Sequence, residues 1–162
     1  MKTLLILRHA KSSWKDSGLA DHDRPLSPRG KRDAPRMGRL LRDKHLIPDL
    51  ILCSSAKRAR DTAEALAEAS GGEGEIEFRP ELYLADPEAY VRALRALPDA
   101  CESVMVIGHN PGLEALLEML TGEDEALPTA ALAQVELPIR RWRDLGDGTE
   151  GRLLNVWRPK EL

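Results

Sequence analysis

Leu4-Leu5-Ile6-Leu7-Arg8-His9-Ala10-Lys11 runs from four consecutive aliphatic residues straight into an arginine, a histidine and a lysine, with no polar spacer between. A short aliphatic run bounded by polar residues reads as a strand buried on both faces, the kind that occupies the middle of a parallel or mixed sheet. Arg8 and His9 then stand where that strand ends. In open α/β sheets ligands bind in the crevice outside the carboxyl ends of the strands, so a guanidinium and an imidazole there make a candidate anion site. Taken alone, the stretch reads no less well as a core strand with a charged tip. The rest of the chain has to decide.

Two further stretches end in the same way. Asp49-Leu50-Ile51-Leu52-Cys53 stops at Ser54-Ser55 and feeds a helix from Ala56 to about Ala69 through a short turn containing Arg58, with Gly71-Gly72 closing the helix. Ser103 to Ile107 ends in Gly108-His109-Asn110-Pro111-Gly112 and enters a helix from Leu113 to Leu120. Between the first two strands, Lys11 to Pro25 is polar and turn-rich and is expected to be a loop over the crevice. Ser27 then caps a helix with Pro28 at its first position and Met37, Leu40 and Leu41 on its apolar face. Pro35 predicts a kink or restart in that helix, because its ring would meet the Lys31 carbonyl.

Glu75 to Phe78 is a short strand candidate, and Asp86-Pro87 opens a helix with Tyr90, Val91, Leu94 and Leu97 on its apolar side. Ala131 to Leu137 and Arg152 to Trp157 read as a closing antiparallel pair, with Gly146-Asp147-Gly148 as the turn. Strands alternating with helices predict an α/β fold: a three-layer α/β/α sandwich on a mixed, mainly parallel central sheet. With no repeat and no dividing linker, residues 1–162 are expected to form one domain.

A formal net charge of −3 over 162 residues argues against a nucleic-acid partner, so any anion site has to be local. No aliphatic run approaches the ~20 residues needed to span a bilayer, and no signal-peptide pattern precedes the first strand; no membrane association and a cytoplasmic location are expected. Cys53 and Cys101 are too few for a disulfide framework or a cysteine zinc site and read as small buried residues in strands. Cys53 is also no cysteine-phosphatase nucleophile, since the C-x5-R spacing falls on Ala59. Asp21-His22-Asp23 reads as a solvated loop rather than metal ligands, Glu123-Asp124-Glu125 as a solvated loop, and Trp142 and Trp157 as packing residues in late strands. Neither a G-x-x-x-x-G-K-[ST] nor a G-x-G-x-x-G motif occurs, which removes the usual nucleotide sites.

In a parallel sheet the three strand ends bring Arg8, His9, Arg58 and His109 to one edge. Two guanidinium groups and two imidazoles suit a phosphoryl group, with its high charge and three acceptor oxygens. The turn from Gly108 to Gly112 opens a helix and is expected to add free backbone N–H groups and the positive end of the helix dipole. Neighbouring positive charge lowers the pKa of an imidazole, so one histidine stays a nucleophile near neutral pH and can attack phosphorus. Lys11 and Ser12 are candidate phosphate contacts from the loop. Trp14 either stacks on a substrate or anchors the loop.

These residues fall into a pattern that resembles the histidine phosphatase, or phosphoglycerate-mutase-like, superfamily, and within it the small SixA-type phosphohistidine phosphatases. The matching pieces are Leu7-Arg8-His9-Ala10 in place of the usual R-H-G, Leu26-Ser27-Pro28-Arg29-Gly30, Ser55-Ala56-Lys57-Arg58-Ala59-Arg60-Asp61-Thr62-Ala63, and Val106-Ile107-Gly108-His109-Asn110-Pro111. The resemblance implies His9 as the nucleophile that becomes phosphorylated, Arg8, Arg58 and His109 as holders of the phosphoryl oxygens, and neither metal nor organic cofactor. It also implies a departure. Where mutases and broad phosphatases of the superfamily carry a glutamate acid, this chain reads Glu81-Leu82-Tyr83-Leu84-Ala85-Asp86, with Leu84 at the acid's place.

A sugar or glycerate alkoxide needs a positioned acid to leave, an effect worth ~10²–10⁴ in rate. An imidazole, with an unperturbed pKa of ~6.5, needs less help. The expected substrate is therefore a phosphohistidine, first of all on a signalling protein, or another activated phosphate. Glu81, Asp16 and Asp23 stay open as substitute acids. A non-catalytic phosphate-binding regulatory module and a broad small-molecule phosphomonoesterase are the alternatives.

Overall fold

The N-terminal aliphatic run forms β1 (Lys2–Arg8), an inner strand of a six-stranded sheet. The computed structural model describes residues 1–72, 74–146 and 148–162; Glu73, and Asp147 at the middle of the expected glycine turn, lie outside the described residues. The other strands are β2 (Leu50–Ser54), β3 (Glu75–Arg79), β4 (Ser103–Gly108), β5 (Leu132–Leu137) and β6 (Arg152–Trp157), and the sheet order is β3-β2-β4-β1-β5-β6. β1 pairs parallel with β4, β4 with β2 and β2 with β3. β5 runs antiparallel to β1, and β6 antiparallel to β5, as the closing pair predicted.

Helices cover both faces. Alternate residues of β1 divide between them: Leu5 and Leu7 pack with Ala34, Met37 and Leu41 of α1 (Pro28–Asp43) and Ala59, Ala63 and Leu66 of α2 (Lys57–Ser70). Leu4 and Ile6 pack on the other side with Tyr90 and Leu94 of α3 (Pro87–Arg95) and Leu113, Leu116 and Leu117 of α4 (Gly112–Thr121). A strand with both faces buried has to be apolar throughout, which is why the run is continuous rather than alternating. Among the described residues no helix is long and apolar enough to cross a membrane.

Several expectations shift. Ser27 caps α1, its hydroxyl accepting from Gly30 N–H at 3.2 Å, but the helix then passes through Pro35 without the predicted restart. β2 extends to Ser54, so that serine belongs to the strand. α3 ends at Arg95, leaving the buried Leu97 just beyond it. Trp142 lies in a short 3-10 turn, not a strand, fully buried with its indole N–H donating to Cys101 O at 2.7 Å. Cys53 is buried in β2, whereas Cys101 is half-buried and precedes β4.

Candidate active site

Parallel pairing sets the ends of β1 and β4 side by side: Arg8 pairs with Gly108, and His9 N–H donates to Gly108 O at 3.1 Å. The His9 and His109 ring centroids are 5.2 Å apart. Arg58, buried in the first turn of α2, joins them through Thr62, whose hydroxyl donates to Arg58 O at 2.7 Å and accepts from Ala10 N–H at 3.0 Å. Behind β4, the Tyr90 hydroxyl accepts from His109 N–H at 3.3 Å, and a Cβ at position 108 would lie 2.0 Å from that hydroxyl. Only glycine permits this approach.

His9 is nearly buried, and its Nδ1 lies 2.7 Å from Ala10 O. A carbonyl can only accept, so Nδ1 carries the proton and Nε2 of the neutral ring keeps its lone pair. The His9 pKa falls to about 4, chiefly by burial, with the Ala10 bond opposing and Arg58, Arg8 and Arg24 adding to the fall. The direction is the one read from the sequence, but desolvation, not neighbouring charge, is the main cause. His109 falls to about 3, again chiefly by burial, with His9 and Arg58 adding to it. Its Nε2 is 2.8 Å from the Ser54 hydroxyl, which itself accepts from Ala56 N–H at 3.2 Å and so has its own proton to give. With Ser54 giving that proton to Nε2, His109 carries its own on Nδ1.

The cleft at these strand ends is small, about 220 Å³. Arg8, His9, Arg58 and His109 line it, together with Lys11 and Ser12, so all six residues singled out in the sequence come together. Trp14, Arg24, Leu84, Asn110 and Thr129 complete the wall. Arg24 was hidden in the polar loop. It is buried, donates to the Ser12 hydroxyl, and lies 3.3 Å below the centroid of the exposed Trp14 ring. Three buried side-chain atoms lack a hydrogen-bond partner among the described residues: Arg8 Nε, Arg24 Nε and His109 Nδ1. All three belong to this wall, and each would cost about 1–3 kcal/mol if left unsatisfied. Donors concentrated in this way suit an oxyanion with several acceptor oxygens.

Asp21 is more than a solvated loop residue. Its carbonyl accepts from Arg58 Nη1 at 2.8 Å and its carboxylate from Arg58 Nη2 at 3.0 Å and from the Tyr83 hydroxyl. Tyr83 and Arg58 together hold that carboxylate below its ordinary range, so it stays ionised. His22 turns instead toward the Ser55 hydroxyl, 2.9 Å from Nε2. The backbone donors expected at the start of α4 are largely used internally: Leu113 N–H donates to His109 O, and Glu114 N–H to the Asn110 side chain. The donors that face the cleft are therefore mainly side-chain groups.

None of the substitute acids reaches the cleft wall. Glu81 pairs with Arg79 at 3.3 Å, Asp16 accepts from Gly18 N–H at 3.0 Å, and Asp23 is exposed. Leu84 occupies the wall instead, 59% exposed and with φ of 51°. A leucine in the left-handed region is costly, by roughly 1–2 kcal/mol. Its neighbours hold it there: Tyr83 is tied to Asp21, and Ala85 O lies where only a glycine, Gly112, fits beneath it.

The family model of the Histidine phosphatase superfamily (branch 1) matches residues 4–83. An uncharacterized protein of Mycobacterium tuberculosis is 36% identical over 153 residues, covering 88% of this chain and 93% of its own length. Among solved structures, the putative phosphohistidine phosphatase SixA of Agrobacterium tumefaciens superposes with a TM-score of 0.84 at 33% identity, covering 98% of each chain. The protein histidine phosphatase SixA solved with tungstate gives 0.83 at 25% identity, again covering 98% of each. Likeness of this extent reaches past the shared sheet to every element that carries the cleft, and the chain belongs to the histidine phosphatase superfamily, in its SixA-type branch.

Proposed function

We propose that this chain, acting as one domain, is a phosphatase that removes the phosphoryl group from a phosphohistidine on a protein through a covalent intermediate on His9. His9 Nε2 attacks phosphorus while the substrate's N–P bond breaks, and the departing imidazole takes a proton from solvent. Water then attacks the His9-bound phosphorus, inorganic phosphate leaves, and Nε2 regains its lone pair. Arg8, Arg24, Arg58 and His109 hold the phosphoryl oxygens, and Lys11 and Ser12 add contacts from the loop. Their fixed donors stabilise the charge that builds on those oxygens in the transition state.

The observation that carries this reading is the make-up of the wall: among the described residues it has four cations, two imidazoles and no carboxylate. Asp21, the nearest carboxylate partner of Arg58, is held ionised and has no proton to give. A leaving group must then depart without a positioned acid, which an imidazole can do and a sugar alkoxide cannot. The tungstate bound by a SixA relative is an oxyanion of the same shape class as phosphate, in accord with a site made for such ions.

Side-by-side turnover of a phosphohistidine protein, an aryl phosphate and a sugar phosphate tests the substrate. The first two are expected to be hydrolysed and the third not; a sugar phosphate turned over faster than the phosphohistidine protein would reject the reading. Labelling with a phosphodonor should give a base-stable, acid-labile adduct that is absent from His9→Ala. Binding without adduct or phosphate release would mark a non-catalytic module.

A further inference from the structure

Beside the cleft, the start of α1 and the turn Pro159–Glu161 enclose a second hollow, a groove of about 370 Å³. Thr129 lines both, and Arg29 Nη2 donates to its hydroxyl at 3.1 Å. The groove wall carries five cations, Arg29, Arg32, Arg36, Arg158 and Lys160, against two carboxylates. That is a local excess of three positive charges on a chain whose net charge is −3.

Arg29, Arg32 and Arg36 follow helical spacing and share one face of α1. The helix dipole does not favour Arg29 and Arg32 so near the start of α1. The first turn of α1 holds no acidic residue, and the N-terminal end of a helix dipole disfavours cations. Local ion pairs neutralise part of the charge: Asp33 takes Arg36 at 3.3 Å and Arg29 at 4.0 Å, and Arg158 reaches Glu125 at 3.0 Å and Glu161 at 3.5 Å. Arg32 and Lys160 are exposed, and neither is in an ion pair among the described residues.

We propose that this groove is the docking surface for an acidic segment of the phosphorylated protein, an inference that rests on the protein-substrate reading of the cleft. A side chain whose phosphoryl group sits on His9 brings its flanking chain across Thr129, and carboxylates there meet Arg32 and Lys160. Guanidinium groups match carboxylates in geometry, and a positive patch speeds encounter with an acidic partner. The groove supplies the recognition that a cleft of about 220 Å³ is too small to provide.

The test probe is a fluorescein-labelled oligoglutamate peptide carrying no phosphate, titrated by anisotropy into the wild-type chain and into a doubly substituted Arg32→Glu, Lys160→Glu chain. Unchanged aryl-phosphate turnover checks that the variant folds, and an Arg32→Gln, Lys160→Gln pair replaces it if the charge reversal disturbs α1. Peptide binding to wild type is expected to weaken about tenfold or more in the reversed variant and to weaken with added salt. On a phosphohistidine protein with an acidic surface, the same variant should show a KM raised by about tenfold. No peptide binding by wild type, or equal binding by the variant, overturns the proposal. Displacement of the peptide by far lower concentrations of inorganic polyphosphate also overturns it, by assigning the groove to a polyanion instead of a protein. If the peptide binds as expected while wild type fails to turn over any phosphohistidine protein, the docking surface stands and the phosphohistidine reading falls.

Discussion

His9 has an ordinary imidazole pKa near 6.5 in the unfolded chain and one of about 4 in the fold. Protons therefore favour the unfolded state. The stability that depends on a neutral His9 is fully present above pH 6.5 and is lost as the pH falls from there through about 4, a loss of roughly 3 kcal/mol. His109 acts in the same direction, down to about 3. Melting temperature is expected to drop steeply across this window in the wild type and less steeply in His9→Gln; equal slopes would show that burial does not hold His9 neutral. Arg24 is the residue whose part could not be read in advance, because its contacts with Ser12 and Trp14 depend on how the loop folds back. A hydrogen bond to a charged group is worth about 1.5–3 kcal/mol. Arg24→Ala should accordingly weaken vanadate or tungstate binding by roughly 10- to 100-fold, and Arg24→Lys should recover little, since an ammonium lacks the planar fork. Arg58→Ala should weaken it at least as much, and unchanged vanadate inhibition there would remove Arg58 from the cleft.

Elements aim these residues by touching backbone to backbone. A Cβ at Gly30 in α1 would lie 2.1 Å from Lys11 O, and backbone on both sides leaves nothing flexible to give way. Gly30→Ala should displace Lys11 and Ser12, with an overpacking cost of about 1–3 kcal/mol and a fall in kcat/KM beyond what the lower stability explains. Thr62→Val keeps the shape but strips Ala10 N–H of its acceptor, at about 1–3 kcal/mol. At about 2–4 °C per kcal/mol for a chain of this size, calorimetry should register the loss readily. Element placement was largely legible in the sequence: Ser27-Pro28 and Asp86-Pro87 announce their helices, and both caps form, Asp86 accepting from Ala89 N–H at 3.1 Å. The restart expected at Pro35 does not occur, and α1 runs on into its packing against α2, where Gly38 brings the helices so close that a Cβ would lie 2.3 Å from Leu66 O. Thr62 and Tyr90 were invisible as polar partners because what they bind is separated from them by 52 and 19 residues.

Across the whole molecule, charge is partitioned rather than uniform. Cations gather at the cleft and the adjoining groove while the chain as a whole is negative. With a Debye length of about 10 Å at 0.1 M salt, attraction reaching out from such a patch is screened, while contacts inside the cleft are screened less. Raising ionic strength should therefore lower kcat/KM for an acidic phosphoprotein more than for an aryl phosphate; parallel declines would argue that the groove plays no part. The sheet was readable because its inner strands are unbroken aliphatic runs, and from the sheet followed the meeting of Arg8, His9, Arg58 and His109. The groove was not readable, because it joins α1 to residues more than a hundred positions away, as in the 3.1 Å bond from Arg36 to Pro159 O.

The backbone twist that presents Leu84 to the cleft has a consequence for the company this catalyst can keep. At the place where the family resemblance implies an acid, this wall offers a hydrocarbon. On the proposed function, phosphate esters of ordinary alcohols are expected to enter, be held by the arginines and leave intact, since no acid on the wall helps their alkoxides depart. Selectivity of this kind comes from a withheld capability and not from a tighter fit. It would let a small cleft discriminate, and replacing that hydrocarbon by an acid in Leu84→Glu should erode the discrimination, seen as a rise in alkyl-phosphate turnover relative to aryl-phosphate turnover.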